Sequence, residues 1–268
     1  MKKALILTAA LSLIAFSCKE VKTENHTTTI DNSVQDSLKT GKVMIDSVRV
    51  QDSLVLSETL TLDYRNKFLL FSGLEKPLLD SLYSKELPEK NVFPADYSKE
   101  TVNSLMKKDM QNFFSEMNMD SNEYMPTHKQ IWDQVSEMKV HSEQNGFLTV
   151  NYSGYGYTGG AHGYAYENYK VVDTKSQKIV HLEDIVDVSK VNWNEVLLSR
   201  IEGGKDMIFE PEKLTYNQNF YFDQEKITFV YGQYEIAAYA AGIIPVEVPF
   251  SAISSALKPE FKERMSIK

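Results

Sequence analysis

The stretch NGFLTVNYSGYGYTGGAHGYAYENYKVV, Asn145 to Val172, decides the fold. Asn145-Gly146 is the strongest short hairpin signal, because both residues tolerate the positive φ that a tight reversal needs. Phe147 to Tyr157 and Tyr164 to Val172 read as strands, rich in β-branched and aromatic residues and bounded by turn formers. Gly154 and Gly156 interrupt the first strand, which marks a bulge or a close backbone approach. Gly159, Gly160 and Gly163 surround His162, and Gly159-Gly160 allow a sharp reversal. On the N-terminal side, Ile131 to His141 is strand-like and pairs through the Asn145-Gly146 turn. The core of the chain is therefore an antiparallel meander.

Working outward, Ser47 to Leu70 suggests one or two strands, and Gly73 breaks them. Leu74, Leu78, Leu79, Leu82 and Tyr83 then recur at helical spacing up to Leu87-Pro88. A loop, Glu89 to Tyr97, precedes Ser98, an N-cap. Val102, Leu105, Met106, Phe113, Phe114 and Met117 form the clearest amphipathic face in the chain, a core stripe. Beyond the meander, Asp173 to Lys178 is a polar turn and Ile179 to His181 a short return strand. Asn192 caps a helix striped by Trp193, Val196, Leu197, Arg200 and Ile201, ended by Gly203-Gly204. Asn219 to Phe222, Ile227 to Tyr231 and Pro245 to Phe250 are strands, and Ser251 to Leu257 reads as a short terminal helix. Hairpin strands with separate helices predict an α+β fold, mostly antiparallel, in two small lobes: 43–145 and 146–268. About 225 globular residues suffice for this.

The chain opens MKKALILTAALSLIAFSC. Lys2 and Lys3 precede an apolar run too short for a comfortable membrane span, so 1–17 reads as a secretory signal. Ala15-Phe16-Ser17-Cys18 resembles a lipobox, which implies lipidation of Cys18 and a membrane anchor. Lys19 after Cys18 is compatible with outer-membrane sorting, so the location expected is the cell envelope, at the outer membrane or the periplasmic face. Residues 18–42 are polar and poor in large apolar side chains, as in a disordered tether. Cys18 is the one cysteine, so no intrachain disulfide forms. Removing 1–17 takes the formal net charge from −8 to −10. That acidity argues against nucleic acid, whose phosphates need Lys and Arg, and suits a basic partner.

Tyr157-Thr158-Gly159-Gly160-Ala161-His162-Gly163, with Asn168 and His181-Leu182-Glu183-Asp184-Ile185, resembles the extracytoplasmic domain of RsiV-type anti-sigma factors. The same domain of unknown function lies beside the catalytic domain of PdaC-type peptidoglycan deacetylases. Phe220-Tyr221-Phe222, Ile227-Thr228-Phe229, Tyr234-Glu235-Ile236-Ala237, Tyr239-Ala240-Ala241-Gly242 and Val246-Glu247-Val248-Pro249 follow the order of that family. The stretch from about Val48 to Asn145 resembles the smaller partner domain that precedes it. The resemblance implies a domain that binds lysozyme outside the cell, or a related cell-wall (peptidoglycan) fragment. The cytoplasmic sigma-binding segment and full transmembrane helix of an anti-sigma factor are lacking from this sequence. So are the Asp-Asp and His pairs of a deacetylase, and deacetylase activity does not transfer.

Five histidines are present: His26, His128, His141, His162 and His181. None has the i, i+4 spacing of a helical zinc site, and no P-loop or nucleophile elbow appears. No metal or cofactor is expected. A pairing of His162 with His181 across neighbouring strands, near Glu183 or Asp184, is the one arrangement that could hold an ion. His162 is also the best candidate base, with Tyr157, Tyr164 or Tyr166 as partners; this gives the alternative of a glycan-acting envelope hydrolase or a deacetylase-associated enzyme. The favoured reading has His162 bracing the glycine bend and no catalytic residue. Tyr152, Tyr155, Tyr157, Tyr164, Tyr166 and Tyr169 fall within eighteen positions. Tyrosine is a rigid amphipathic contact residue, so the candidate binding set is Tyr155, Tyr157, Gly159, Gly160, His162, Tyr164 and Tyr166.

Overall fold

A computed structural model describes residues 43–84 and 93–267, with the side chains of 120–123 left aside. The secretory signal, Cys18, the tether to residue 42, His26 and the first part of the Glu89–Tyr97 loop lie outside the described residues. The fold is α+β, as the hairpin-and-helix pattern predicts.

Strands β1 (Met44–Val55), β2 (Leu60–Ser72), β3 (Gln130–Gln144), β4 (Phe147–Tyr157), β5 (Tyr164–Asp173) and β6 (Lys178–Ile179) form one sheet in that order. Every neighbouring pair is antiparallel except β2–β3, which is parallel. A parallel pair needs a crossover, and helices α1 (Lys76–Tyr83) and α2 (Lys99–Glu123) lie in the connection. Asn145 (φ 52°) and Gly146 (φ 80°) turn β3 into β4. The alternation of β2 sends Leu60, Leu62, Tyr64 and Phe68 to one buried face. Leu78, Leu79, Leu82 and Tyr83 of α1 join Val102, Met106 and Phe113 of α2 in the same core. The Ser98 hydroxyl caps α2, accepting from Thr101 N–H at 3.3 Å. Tyr64 O–H donates to Asp109 Oδ2 at 2.7 Å, which puts a carboxylate of α2 into this core.

A second core gathers around α3 (Leu182–Ile185), α4 (Trp193–Leu198), α5 (Pro259–Met265) and an antiparallel sheet of β7 (Phe220–Phe222), β8 (Lys226–Tyr231) and β9 (Ile244–Pro249). Side-chain carboxamides join it to the open edge of β5. Asn219 Oδ1 accepts from Tyr169 N–H at 2.7 Å, and Asn219 Nδ2 donates to Glu167 C=O at 2.9 Å. Gln233 Oε1 accepts from Ala165 N–H at 2.8 Å. At the other end, Arg264 of α5 forks onto Asp173, with both N···O distances 2.8 Å, and donates to Asn145 C=O at 2.8 Å. Its guanidinium also lies 3.7 Å from the centroid of the Phe147 ring. Burial opposes ionisation of Asp173, but the Arg264 contacts and N–H donors at Ser176 and Lys175 outweigh it and hold the carboxyl far below its ordinary value.

Three details differ from the sequence expectation. Ser251 to Leu257 is not a helix: a short 3-10 turn at Phe250–Ala252 precedes further turns, and the terminal helix is Pro259–Met265. There Pro259 stands at the helix start, and Phe261 and Met265 fall one turn apart on the buried face. The Asn192-capped helix ends at Leu198, before Gly203-Gly204; Ser199 N–H bonds back to Glu195 C=O, and Ile201 reaches the core through a turn. The short helix Leu182–Ile185 was not foreseen at all.

Candidate recognition site

The reversal between β4 and β5 is built on glycines with left-handed backbone, Gly159 (φ 94°) and Gly160 (φ 86°). Tyr157 O–H closes the turn by donating to Gly160 C=O at 3.2 Å. Gly159 also lies against Trp132, whose ring would stand 3.2 Å from an added Cβ. His162 bonds back to the same loop, with Nδ1 3.0 Å from Gly163 C=O. Since a carbonyl only accepts, Nδ1 is the donor, and in the neutral ring Nε2 is left to accept. Tyr234 O–H stands 3.4 Å from that Nε2. The His162 ring stacks on Tyr239, and Tyr239 O–H donates to Gly163 C=O at 2.8 Å. With Gln233 bonded to Ala165, the segment from Gln233 to Tyr239 is fastened along the glycine loop.

The tyrosines divide by the pleat. Tyr152 is fully buried, and Tyr166 packs against the first core with its ring over Gly154, where an added Cβ would come within 2.4 Å of it. Tyr155 points the other way, and its ring covers Gly163. Tyr155, over Gly163, and Tyr234, beside His162, are 43% and 57% exposed at the loop. Desolvation, then the neighbouring Asp133, holds the Tyr155 phenol above its ordinary value. Of the candidate set, Tyr164 shares the opposite face of β5 with Tyr166, ring centroids 6.1 Å apart, whereas Tyr155 and His162 form the outer face. Tyr157, Gly159 and Gly160 shape the turn beneath it, and Tyr166 belongs to the core side. Gln233, Tyr234 and Tyr239 complete the site, although sequence reasoning did not select them. Their signal was the Tyr-rich run itself, noted only for its order in the chain.

His162 and His181 do not meet. Val180 N–H bonds to Val171 C=O, which sets His181 beside Lys170. That is eight positions from His162 along β5, roughly 27 Å at strand rise. No group of three or more His, Cys, Asp or Glu side chains suited to a metal ion occurs among the described residues. His141 packs instead edge-on to Tyr169 and tilted against Tyr221, centroids 5.1 and 4.3 Å away, and burial lowers its pKa against the opposing pull of Glu167. The arrangement at the loop is aromatic, donor-rich and solvent-facing, with its imidazole held by its own backbone and by two tyrosines.

Two family models match the chain. Residues 79–165 match deacetylase PdaC, and residues 174–251 match a protein of unknown function, DUF3298. The chain thus carries a PdaC-like segment followed by a DUF3298 segment. The glycine loop lies in the first match and Tyr234 and Tyr239 in the second, so the site straddles both. Among solved structures, a DUF3298 family member from Bacteroides fragilis is 22% identical, with a TM-score of 0.58 over 85% of this chain and 99% of that one. A DUF3298 family protein from Pseudomonas aeruginosa is 17% identical, with a TM-score of 0.51 over 81% and 96%. These likenesses concern the fold. No curated protein matches the chain.

Proposed function

We propose that this chain is a non-catalytic recognition module of the bacterial envelope. It would be anchored through a lipid on Cys18 and would bind a basic extracellular protein such as lysozyme at the glycine-loop face. The observation that carries the reading is the state of His162: one ring nitrogen is bonded to Gly163 C=O, the other faces Tyr234, and a face is stacked on Tyr239. A general base needs a free nitrogen aimed at substrate, whereas Tyr155 and Tyr234 offer rigid aromatic surface with hydroxyl donors. The formal net charge of −8 supports a cationic partner, chiefly through the rate of encounter. The RsiV-type resemblance of the loop and of the Tyr234–Gly242 element supports the choice of lysozyme.

The test is capture of lysozyme by the immobilised protein at low and at moderate salt. Retention that weakens with salt is expected, and loss of retention in Tyr155→Ala would assign it to this face. Absence of retention at both salt levels would remove lysozyme as the ligand. Lipidation is read separately, by fatty-acid labelling that should disappear in Cys18→Ser.

A further inference from the structure

The open edge of β5 carries a second binding position. With β4 on its other side, the strand turns the backbone groups of Ala165, Glu167, Tyr169 and Val171 outward. One place on this edge is filled by the Asn219 carboxamide, which donates to Glu167 C=O and accepts from Tyr169 N–H. Further along, Val180 N–H donates to Val171 C=O at 2.8 Å. Between these two, Tyr169 C=O and Val171 N–H find no hydrogen-bond partner among the described residues, and the bond that Val171 N–H could return to Val180 C=O is not made. Yet Tyr169 and Val171 are only 7% and 2% exposed. Buried backbone groups of this kind are costly unless something pairs with them. Both residues border a cavity of about 410 Å³ between β5 and the Asn217–Phe220 segment, a size suited to a small ligand.

We propose that this cavity binds a small molecule bearing a primary carboxamide, of the kind that free glutamine carries. Tyr169 C=O and Val171 N–H repeat, two residues on, the pair that Asn219 already bridges. A primary carboxamide holds one N–H on the same side as its C=O, so it can donate to Tyr169 C=O and accept from Val171 N–H together. A trans secondary amide turns the two groups apart, and an added extended strand is stopped by Asn219 on one side and Val180 on the other. The second N–H of the carboxamide meets oxygens with lone pairs to spare. Asn217 Oδ1 and Gln218 Oε1 each accept a single backbone N–H, from Asn219 and Leu182, while the amide hydrogens of the two side chains are turned to Val230 C=O, Glu235 and Glu183. A lactam has no second N–H to use there. For the head group of such an amino acid, the lining supplies the Glu235 carboxylate toward an ammonium and the Asn168 amide toward a carboxylate. Asn168 makes no other side-chain hydrogen bond among the described residues. The position is about 17 Å along β5 from Tyr164, and it stands independently of the lysozyme reading.

The experiment is a titration of the ¹³C,¹⁵N-labelled full chain at constant pH, following the Val171 amide and the Tyr169 carbonyl signals. The probes are L-glutamine, L-glutamate, which has the same shape without the amide N–H, and 2-pyrrolidinone, a lactam. Saturable downfield shifts of both signals with glutamine, and of neither with glutamate, are expected. Asn168→Ala should weaken glutamine binding about tenfold at unchanged Tm. Unmoved signals, equal shifts with glutamine and glutamate, or an unchanged affinity in Asn168→Ala would overturn the proposal. A response to 2-pyrrolidinone alone would overturn the choice of a primary carboxamide. Lysozyme capture bears on none of these outcomes.

Discussion

The imidazole of His162 lies on the phenol ring of Tyr239, with centroids 3.8 Å apart and planes inclined by 21°. One packed pair joins the glycine loop to a segment far along the chain. Stacked aromatic pairs contribute about 1 kcal/mol beyond burial. His162→Ala and Tyr239→Phe should each lower stability by roughly that amount, the second through loss of the bond to Gly163. A double-mutant cycle of His162→Ala with Tyr239→Ala, which removes the ring that Tyr239→Phe keeps, should give a positive coupling by denaturant unfolding. Additive effects would show that the ring contact holds nothing.

Two glycines of the same hairpin should answer differently to alanine. At Gly163 the added Cβ would stand 2.2 Å from the Tyr155 hydroxyl, and Tyr155 is free to swing into solvent. Gly163→Ala should therefore cost less than about 1 kcal/mol while removing Tyr155 from the binding face. At Gly154 the clash is with Tyr166, packed on the core side. Gly154→Ala should cost about 2 kcal/mol, as overpacking does. Unfolding midpoints beside lysozyme capture separate the two, and equal loss of stability would contradict the assignment of faces.

The Arg264–Asp173 fork should appear in the acid limb of stability. Asp173 is ionised more readily in the fold than in the open chain, so its contribution is present above the unfolded carboxylate range and is lost as pH falls toward the depressed folded value. Asp173→Asn should lower stability at pH 7 and flatten the decline below about pH 4. Arg264→Ala leaves a poorly solvated carboxylate and should cost about 3 kcal/mol. Thermal melts across pH would reveal either failure.

Asp109 should behave in the opposite sense. Burial raises its pKa despite hydrogen bonds from Tyr64 and Gln134. The folded state then holds the proton more tightly than the unfolded chain, and this group disfavours folding as pH rises past the unfolded value. Asp109→Asn should raise Tm at pH 7 and lose that advantage in acid. A lower Tm at pH 7 would mean that the charged form is needed by Tyr64.

Much of the fold was legible because the signals were local. Asn145-Gly146, the Ser98 cap and the leucine spacing of Leu78, Leu79 and Leu82 each act within a few residues. The parallel β2–β3 pair was not legible, because nothing in either strand names its neighbour. The terminal helix was missed although Pro259, Phe261 and Met265 carry a start signal and a buried face; the apolar residues just before it drew the prediction forward. At the site, the glycine bend could be read from composition. Its partners Tyr234 and Tyr239 could not, since only the folded chain brings them to His162.

The crossover between β2 and β3 also sets an order of assembly. Each hairpin of the meander closes over a few residues, a fast step, whereas β2 can add only after α1 and α2 have bridged Ser72 to Gln130. A chain emerging N-terminus first would expose the β1–β2 ribbon before its neighbour exists. Its charged edge residues Asp46, Arg49 and Asp52 would then guard that early ribbon against wrong pairing.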